Sequence, residues 1–451
     1  MIQHKELDPK GNLRPFALLL SGGALFSMHF GASSMVWPMN WGKESGTSLF
    51  LAFGGAFITS LLLVVVGYIA LARFNGTYGN MAKSVAGRRF GTFFTSLTIL
   101  VIGPFYAIPR MSAAAWDSIT QVFSLTIDTK IPIVLFTVVF YAVTYFFLIS
   151  PGKAMDRISK LLFPILIIIV AAIIGRGLIS PLGEMTSKTY GISPFAYGFT
   201  NGYATAEVLC ALIFGSVIFN SLRSKGIAED KLTSNMIRVG ICGVGILMVT
   251  HFCHMVIGAT SAQIFPDLSY TMLYTAVTTE LYGRLGGVFF CGVLIMAALT
   301  TAIGMTSGSA EFFVDISGNR LKYSKISLTI VLLSIVFGSL GLADILTYLG
   351  PVLDGIYPAV IVLVMYFAAV KDWKNSLTLA AAKWAFFCAF IMGMIDMLWK
   401  YFVIFDIFRD ICGVYEKIPL AESSLVWMPL TLLVFLIRLL SGKKKALSGI
   451  E

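Results

Sequence analysis

Charge is what this sequence has least of. Asp, Glu, Lys and Arg together make up 12% of its 451 residues, about half the share of an ordinary soluble domain. A soluble fold of this length needs more polar side chains to cover its surface. Histidine is scarcer still, with four residues. The six cysteines (Cys210, Cys242, Cys253, Cys291, Cys388 and Cys412) are scattered and show no CxxC spacing. That pattern supplies neither a zinc site nor a disulfide framework, and the cysteines read as small apolar packing residues. The chain has no HExxH, no GxSxG and no P-loop. Metalloprotease, nucleophile-elbow hydrolase and ATP-driven pump chemistry therefore lack their residues, and the chain reads as a non-enzyme.

What is present is apolar. Hydrophobic residues make up 57% of the chain, and the mean hydropathy is +0.85. A run of about 20 apolar residues can cross the hydrocarbon core of a bilayer. Twelve such runs occur, at roughly 15–40, 48–73, 92–122, 131–149, 158–178, 195–222, 235–258, 284–309, 325–342, 346–370, 378–401 and 424–441. The segment before the first run is polar, with Lys5, Lys10 and Arg14, so that run reads as a retained span and not a cleaved leader. With the N-terminus placed inside, the inner segments carry three times as many Lys and Arg as the outer ones. This bias predicts both termini in the cytoplasm. It also accounts for the net charge of +10 as a topology signal and not a nucleic-acid face. The whole chain, 1–451, reads as one integral membrane domain.

Two spans are interrupted. The first holds Gly22, Gly23, Gly31, then Ala32, Ser33 and Ser34, and later Pro38. The sixth opens at Pro194 and holds Asn201, Gly202, Tyr203 and Thr205 near its middle. Small residues in mid-membrane also serve close helix packing. Two interruptions at corresponding places in two halves, however, point to a transporter binding site. Spans one and six correspond if the core is two five-helix repeats, 15–178 and 195–370, with 378–441 supplying two extra helices. An odd number of spans per repeat inverts the second repeat. Unwound backbone exposes N–H and C=O groups that lipid cannot satisfy. A zwitterionic amino acid can satisfy them, its carboxylate at a half-helix N-terminus and its ammonium at free carbonyls. Met28, Phe105, Tyr106 and Tyr203 are candidate apolar walls.

On the eighth span Ala297, Thr300 and Thr301 stand at i, i+3 and i+4. One carbonyl and two hydroxyls thus share a helix face, as a hard monovalent cation requires. The alternative is that each hydroxyl bonds its own i−4 carbonyl. An ionisable group in mid-span is costly and is a functional hypothesis by default. Arg110 and Glu207 are the clearest, expected as a buried pair near the cavity, either at the substrate or as a structural salt bridge. Asp354 follows a Gly-Pro break, and Asp396 and Lys400 fall near the outer interface. His251 and His254 lack a carboxylate or Cys partner and read as packing residues.

These motifs resemble a known family. FGASSMVWP (Phe30 to Pro38) followed by Gly42 and Gly46, GPFYAIPR (Gly103 to Arg110), NGYATAEVLCALIFG (Asn201 to Gly215) and LTTAIG (Leu299 to Gly304) are similar to those of the bacterial branched-chain amino acid:cation symporters, the LIVCS family of BrnQ type. The likeness runs along nearly the whole chain. It implies an all-α membrane protein of about twelve helices with the LeuT-type five-plus-five inverted repeat of the APC superfamily. It further implies uptake of branched-chain or other apolar amino acids across the cell inner (plasma) membrane by alternating access, coupled to Na⁺ and needing no cofactor. The partners would be the amino acid and the lipid bilayer, with no nucleic acid. H⁺ coupling, another amino acid, or a transporter-derived sensor are the alternatives. By the same likeness Ala297, Thr300 and Thr301 form the eighth-span part of a sodium site. His29 to Ala32 would give carbonyls to the ion and amides to the substrate carboxylate. Gly31, Ala32, Ser33, Ser34, Tyr106, Asn201, Gly202, Tyr203, Thr205 and Glu207 are the expected substrate contacts. The chain departs from the family pattern at three places: Gly31-Ala32-Ser33-Ser34 stands for GAGN, Ala204 and Glu207 for Gln and Asp, and His29 for Phe. A histidine beside the site is a group that H⁺ coupling would use.

Overall fold

The computed structural model describes residues 6–125, 129–149, 154–187 and 193–448. Among these residues the chain is helical, and its extended pairing is a single bridge between Leu7 and Leu13. Among the described residues helices stand at each of the twelve apolar runs, nine of them long and apolar enough to cross a membrane and the others shorter. The first is two half-helices, Pro15–His29 and Ala32–Ser45. A short turn, Gly46–Ser48, leads into the second at 49–72. The third to fifth are Arg88–Val122, Ile131–Leu148 and 154–179. The sixth is again split, into Pro194–Ala204 and Glu207–Ser224. The seventh to ninth are Glu229–Ser261, Arg284–Ile316 and Tyr323–Gly338, and the last three are Leu342–Ala369, Ser376–Ile404 and Trp427–Ser448. Short helices Tyr78–Ala86, Tyr270–Tyr282 and Arg409–Glu416 lie between spans, in segments the apolar-run criterion leaves unassigned because they are too short to cross a bilayer.

Four spans carry a π-turn: Phe57–Leu62 in the second, Val101–Ala107 in the third, Ile158–Leu162 in the fifth and Ile345–Leu349 in the tenth. The turn at Val101–Ala107 contains Pro104. Proline has no N–H to give to the ladder, so the helix widens there instead of continuing unchanged.

Spans one and seven touch backbone to backbone. A Cβ built on Gly42 would lie 1.8 Å from the Met255 carbonyl oxygen, and one on Gly258 would lie 1.8 Å from that of Met39. Glycine is required at both positions because of this approach. Lys43 extends the attachment. Its Nζ donates to the carbonyls of Pro266 and Leu268 at 2.8 and 2.7 Å, which holds the loop ahead of Tyr270–Tyr282 against the second half of span one.

On the face that carries residues 6–14, Lys225 closes the bundle. Its Nζ lies 3.5 Å from Glu6, 4.0 Å from Asp156 and 3.2 Å from the Ser21 hydroxyl. It thereby ties span one, span five and the N-terminal segment to the end of span six. These are partly solvated contacts, each worth up to about 1 kcal/mol. Lys225→Met is therefore expected to loosen this face without unfolding the bundle. The measurement is the rate at which a membrane-impermeant thiol reagent labels a cysteine placed at Ser21, which should rise in the Lys225→Met background. An unchanged rate would show that the clasp does not hold this face shut.

Candidate functional site: the facing breaks of spans one and six

The helix of span one ends at His29. Phe30 has non-helical ψ of 59° and Gly31 is extended, with φ −81° and ψ −174°. Helix resumes at Ala32, so the break is Phe30–Gly31, and Ala32, Ser33 and Ser34 form the first turn of the second half-helix. Gly31 is small for a second reason, since a Cβ there would lie 2.9 Å from the Thr301 hydroxyl. In span six the break is at Thr205–Ala206. Ala206 is left-handed, with φ 51° and ψ 30°, and caps the helix that begins at Glu207. A left-handed alanine costs about 1–2 kcal/mol, which the surrounding packing has to offset.

Asn201 and Gly202, expected inside this second break, lie within the half-helix Pro194–Ala204. Asn201 donates back to the Tyr197 carbonyl at 2.9 Å. A Cβ on Gly202 would sit 2.4 Å from the Thr59 hydroxyl of span two, so Gly202 serves close packing. Tyr203 points to spans ten and twelve: its hydroxyl accepts from Trp427 Nε1 at 3.0 Å and its ring lies 4.9 Å from that of Tyr357. Thr205 donates to the Gly202 carbonyl at 2.7 Å. Phe105 packs on Phe337 of span nine.

The two breaks are joined by their charged residues. His29, the last residue of one half-helix, places Nδ1 2.7 Å from a carboxylate oxygen of Glu207, the first residue of another. His29 Nε2 lies 2.6 Å from the Tyr68 hydroxyl of span two, and Ser34 Oγ donates to the other Glu207 oxygen at 3.4 Å. The Glu207 carboxylate, at a helix N-terminus, meets the favourable end of the helix dipole. Glu207 is thus paired with His29, not with Arg110 as its mid-span position suggests. Tyr68 is a contact that the motifs do not single out.

Arg110 is placed differently. One guanidinium nitrogen donates to the Tyr106 hydroxyl at 3.0 Å, and the guanidinium carbon lies 4.8 Å from the centre of that ring. Its Nε is buried without a hydrogen-bond partner. Among the described residues Arg110 has no carboxylate partner. It lines a cavity of about 400 Å³ together with Ala32, Ser33, Trp37, Asp117 and Tyr270. Asp117 accepts a hydrogen bond from Gln121 at 2.8 Å. Arg110 and the first turn of the second half of span one, at Ala32 and Ser33, therefore border the same cavity.

Below the break, the Thr300 hydroxyl lies 2.7 Å from the Ser27 carbonyl oxygen and 2.9 Å from that of Ala297. The Thr301 hydroxyl lies 2.7 Å from the Met28 carbonyl oxygen. All five oxygens sit within one buried neighbourhood of spans one and eight. The hydroxyls reach across to span one, which goes beyond the back-bonding alternative, although Thr300 makes its own i−3 contact as well. Of the remaining ionisable groups, Asp354 pairs with Lys400 at 2.7 Å and Asp396 accepts from the Tyr415 hydroxyl at 2.7 Å. His254 bonds Tyr274 and His251 bonds the Leu247 carbonyl. No group of three or more His, Cys, Asp or Glu that could hold a metal occurs among the described residues.

Comparison with known proteins agrees with this architecture. Residues 16–445 match the family model described as "Branched-chain amino acid transport protein". The chain is 29% identical to the branched-chain amino acid transport system 2 carrier protein of Pseudomonas aeruginosa, over 97% of this chain and 100% of that one. It is 31% identical to the branched-chain amino acid permease BraB of Bacillus subtilis, over 79% of this chain and 81% of that one. With the permease BrnQ of Escherichia coli it shares 28% identity over 94% and 95%. Among solved structures it is similar to a nucleobase-cation-symport-1 family transporter in a closed conformation with bromovinylhydantoin bound. That match has a TM-score of 0.62 at 13% identity and covers 98% of this chain and 96% of that one. The fold is the LeuT-type inverted repeat with two added helices, and over nearly all its length the chain belongs to the branched-chain amino acid transport protein family.

Proposed function

We propose that this chain carries branched-chain amino acids across a cell membrane by alternating access, and that the substrate zwitterion lies between Arg110 and the facing breaks. The observation that carries the reading is the separation of Arg110 from Glu207. An uncompensated guanidinium beside a cavity is costly in a membrane protein. A carboxylate seated between it and the first-turn amides of Ala32 and Ser33 answers that cost, by the logic of anion binding at helix N-termini. The ammonium end then falls toward the C-terminal ends of Pro15–His29 and Pro194–Ala204, where carbonyl dipoles favour a cation. The face bearing residues 6–14 is the cytoplasmic one in this reading, as the Lys and Arg bias favours.

Sodium is the proposed driving ion, held by the carbonyls of Ser27, Met28 and Ala297 and the hydroxyls of Thr300 and Thr301. These neutral oxygens fit one monovalent cation, with no carboxylate needed. The contacts of His29 with Glu207 and Tyr68 support a second reading, in which the imidazole carries a proton as the coupling ion. The test is uptake of labelled leucine, isoleucine and valine into proteoliposomes under separate sodium and pH gradients. Saturable, sodium-driven uptake is expected, with Lys and Glu poor competitors. Thr300→Ala and Thr301→Ala should each abolish most of the sodium dependence. Full sodium dependence in both variants would displace the ion from this site. Uptake driven by pH alone, and lost in His29→Phe, would establish the proton reading. Unsaturable flux would mark a channel, and binding without flux a sensor.

A further inference from the structure

A second ionisable group without an ion-pair partner among the described residues lies in span eight, toward the N-terminal face from the break. Glu311 is on span eight, three turns beyond Thr300 toward the N-terminal face. Thr300, Gly304, Ser307 and Glu311 fall on one side of that helix at i, i+4, i+7 and i+11, a path of about 16 Å. One Glu311 oxygen accepts from Asn220 Nδ2 of span six at 2.9 Å, and the other accepts from the Ser307 hydroxyl at 3.2 Å. The Tyr323 hydroxyl of span nine contacts Ser307 at 3.2 Å. Among the described residues Glu311 has no ion-pair partner. Two adjoining cavities of about 280 and 270 Å³ meet at Asn220, Glu311 and Asp315. Three spans therefore converge on one carboxylate that borders two cavities and has no Lys or Arg within ion-pair distance among the described residues; Arg223 lines the larger cavity but is paired with Glu229.

We propose that Glu311 is a proton-binding site on the path between the break and the N-terminal face. A carboxylate in such surroundings has to gain one unit of positive charge or remain uncompensated. A proton fits the site better than a metal ion. No group of three or more His, Cys, Asp or Glu that could hold a metal gathers there among the described residues. The proton passes to water when the cavities hydrate and returns when they close, with no other bond made or broken. The charged and titratable groups around it are few. Asp315 lies on the same span. Arg223 is held by Glu229 at 2.9 and 3.2 Å. Tyr78 and Tyr323 are phenols, Asp156 faces Lys225, and Arg157 donates to the carbonyls of Phe146 and Phe147.

The site rests on the transport reading only for its purpose, so the experiment reads the proton directly. Infrared difference spectra of the lipid-reconstituted chain, titrated in pH at fixed sodium, should show a protonated carboxyl band that disappears on titration. The band should be absent in Glu311→Gln and shifted in Asn220→Ala, which removes a donor and keeps the carboxyl. In proteoliposomes, leucine exchange should vary several-fold with the pH on the N-terminal side and lose that dependence in Glu311→Gln. A band and pH profile unchanged in Glu311→Gln would overturn the proposal. So would a Glu311 carboxylate band that responds to sodium and not to pH. A titrating band without any leucine flux would support the proton site and count against the transport reading alone.

Discussion

Arg110→Gln should lose most leucine uptake while leaving the bundle folded. The replaced guanidinium offers two or more donors to a carboxylate, and charge-assisted hydrogen bonds of this kind contribute about 1.5–3 kcal/mol. That range corresponds to a fall of about 10- to 150-fold in transport efficiency, since about 1.4 kcal/mol is a factor of ten. The loss should fall on substrate affinity first. Arg110→Lys keeps the charge but not the planar fork, so it should recover part of the affinity and not all. A branched alkylamine that lacks the carboxylate separates the roles, because it should compete equally weakly against the parent and Arg110→Gln. If Arg110 only braced span three through Tyr106, parent and variant would differ in thermal stability and not in leucine affinity. Unchanged affinity in Arg110→Gln would sink the carboxylate assignment.

The second large effect is structural. Gly258→Val and Gly42→Val each push a branched side chain into a backbone carbonyl of the neighbouring helix, 1.8 Å from where the Cβ would stand. Backbone cannot step aside as a flexible side chain can, so spans one and seven must separate. Overpacking a tight core costs about 1–3 kcal/mol and occasionally more, and a collision with backbone falls at the upper end. Both variants are expected to yield little monodisperse protein and a sharply lowered melting temperature in detergent. Gly245→Val on the same span is the control, since a Cβ there meets nothing within 4 Å. Equal stability of Gly258→Val and Gly245→Val would show that the two helices are not locked at this point.

The spans were legible because a hydrocarbon core demands runs of a fixed length, and the chain supplies them. Where the helices break was legible to within a few residues. Glycine marks a break and a close approach alike, and the sequence does not say which. Gly31 is at the first, whereas Gly202 is small because Thr59 and Ala56 of span two press against it. The partners of the buried charges were less legible. Arg110 and Glu207 both fall in mid-span, but spacing along two helices does not fix what lies between them, and His29 reaches Glu207 instead. Tyr68 gave no signal, since a tyrosine in a span is commonplace. Glu311 could have been found by the rule that singled out Arg110. The apolar run ends at 309, however, whereas the helix continues to Ile316.

The π-turn at Val101–Ala107 has a consequence for Arg110. It places one surplus residue in the helix just before Ile108, so every side chain after it is rotated by about 100° relative to an uninterrupted helix. The turn thus acts as an indexing notch. Deleting one residue within 101–107 would restore an even helix, keep span three long enough for the bilayer and leave its composition almost unaltered. It would nevertheless swing Arg110 off the cavity and onto a neighbouring helix or the lipid. The direction in which this chain aims the Arg110 guanidinium is thus set by a count of residues upstream of it as much as by its own neighbours.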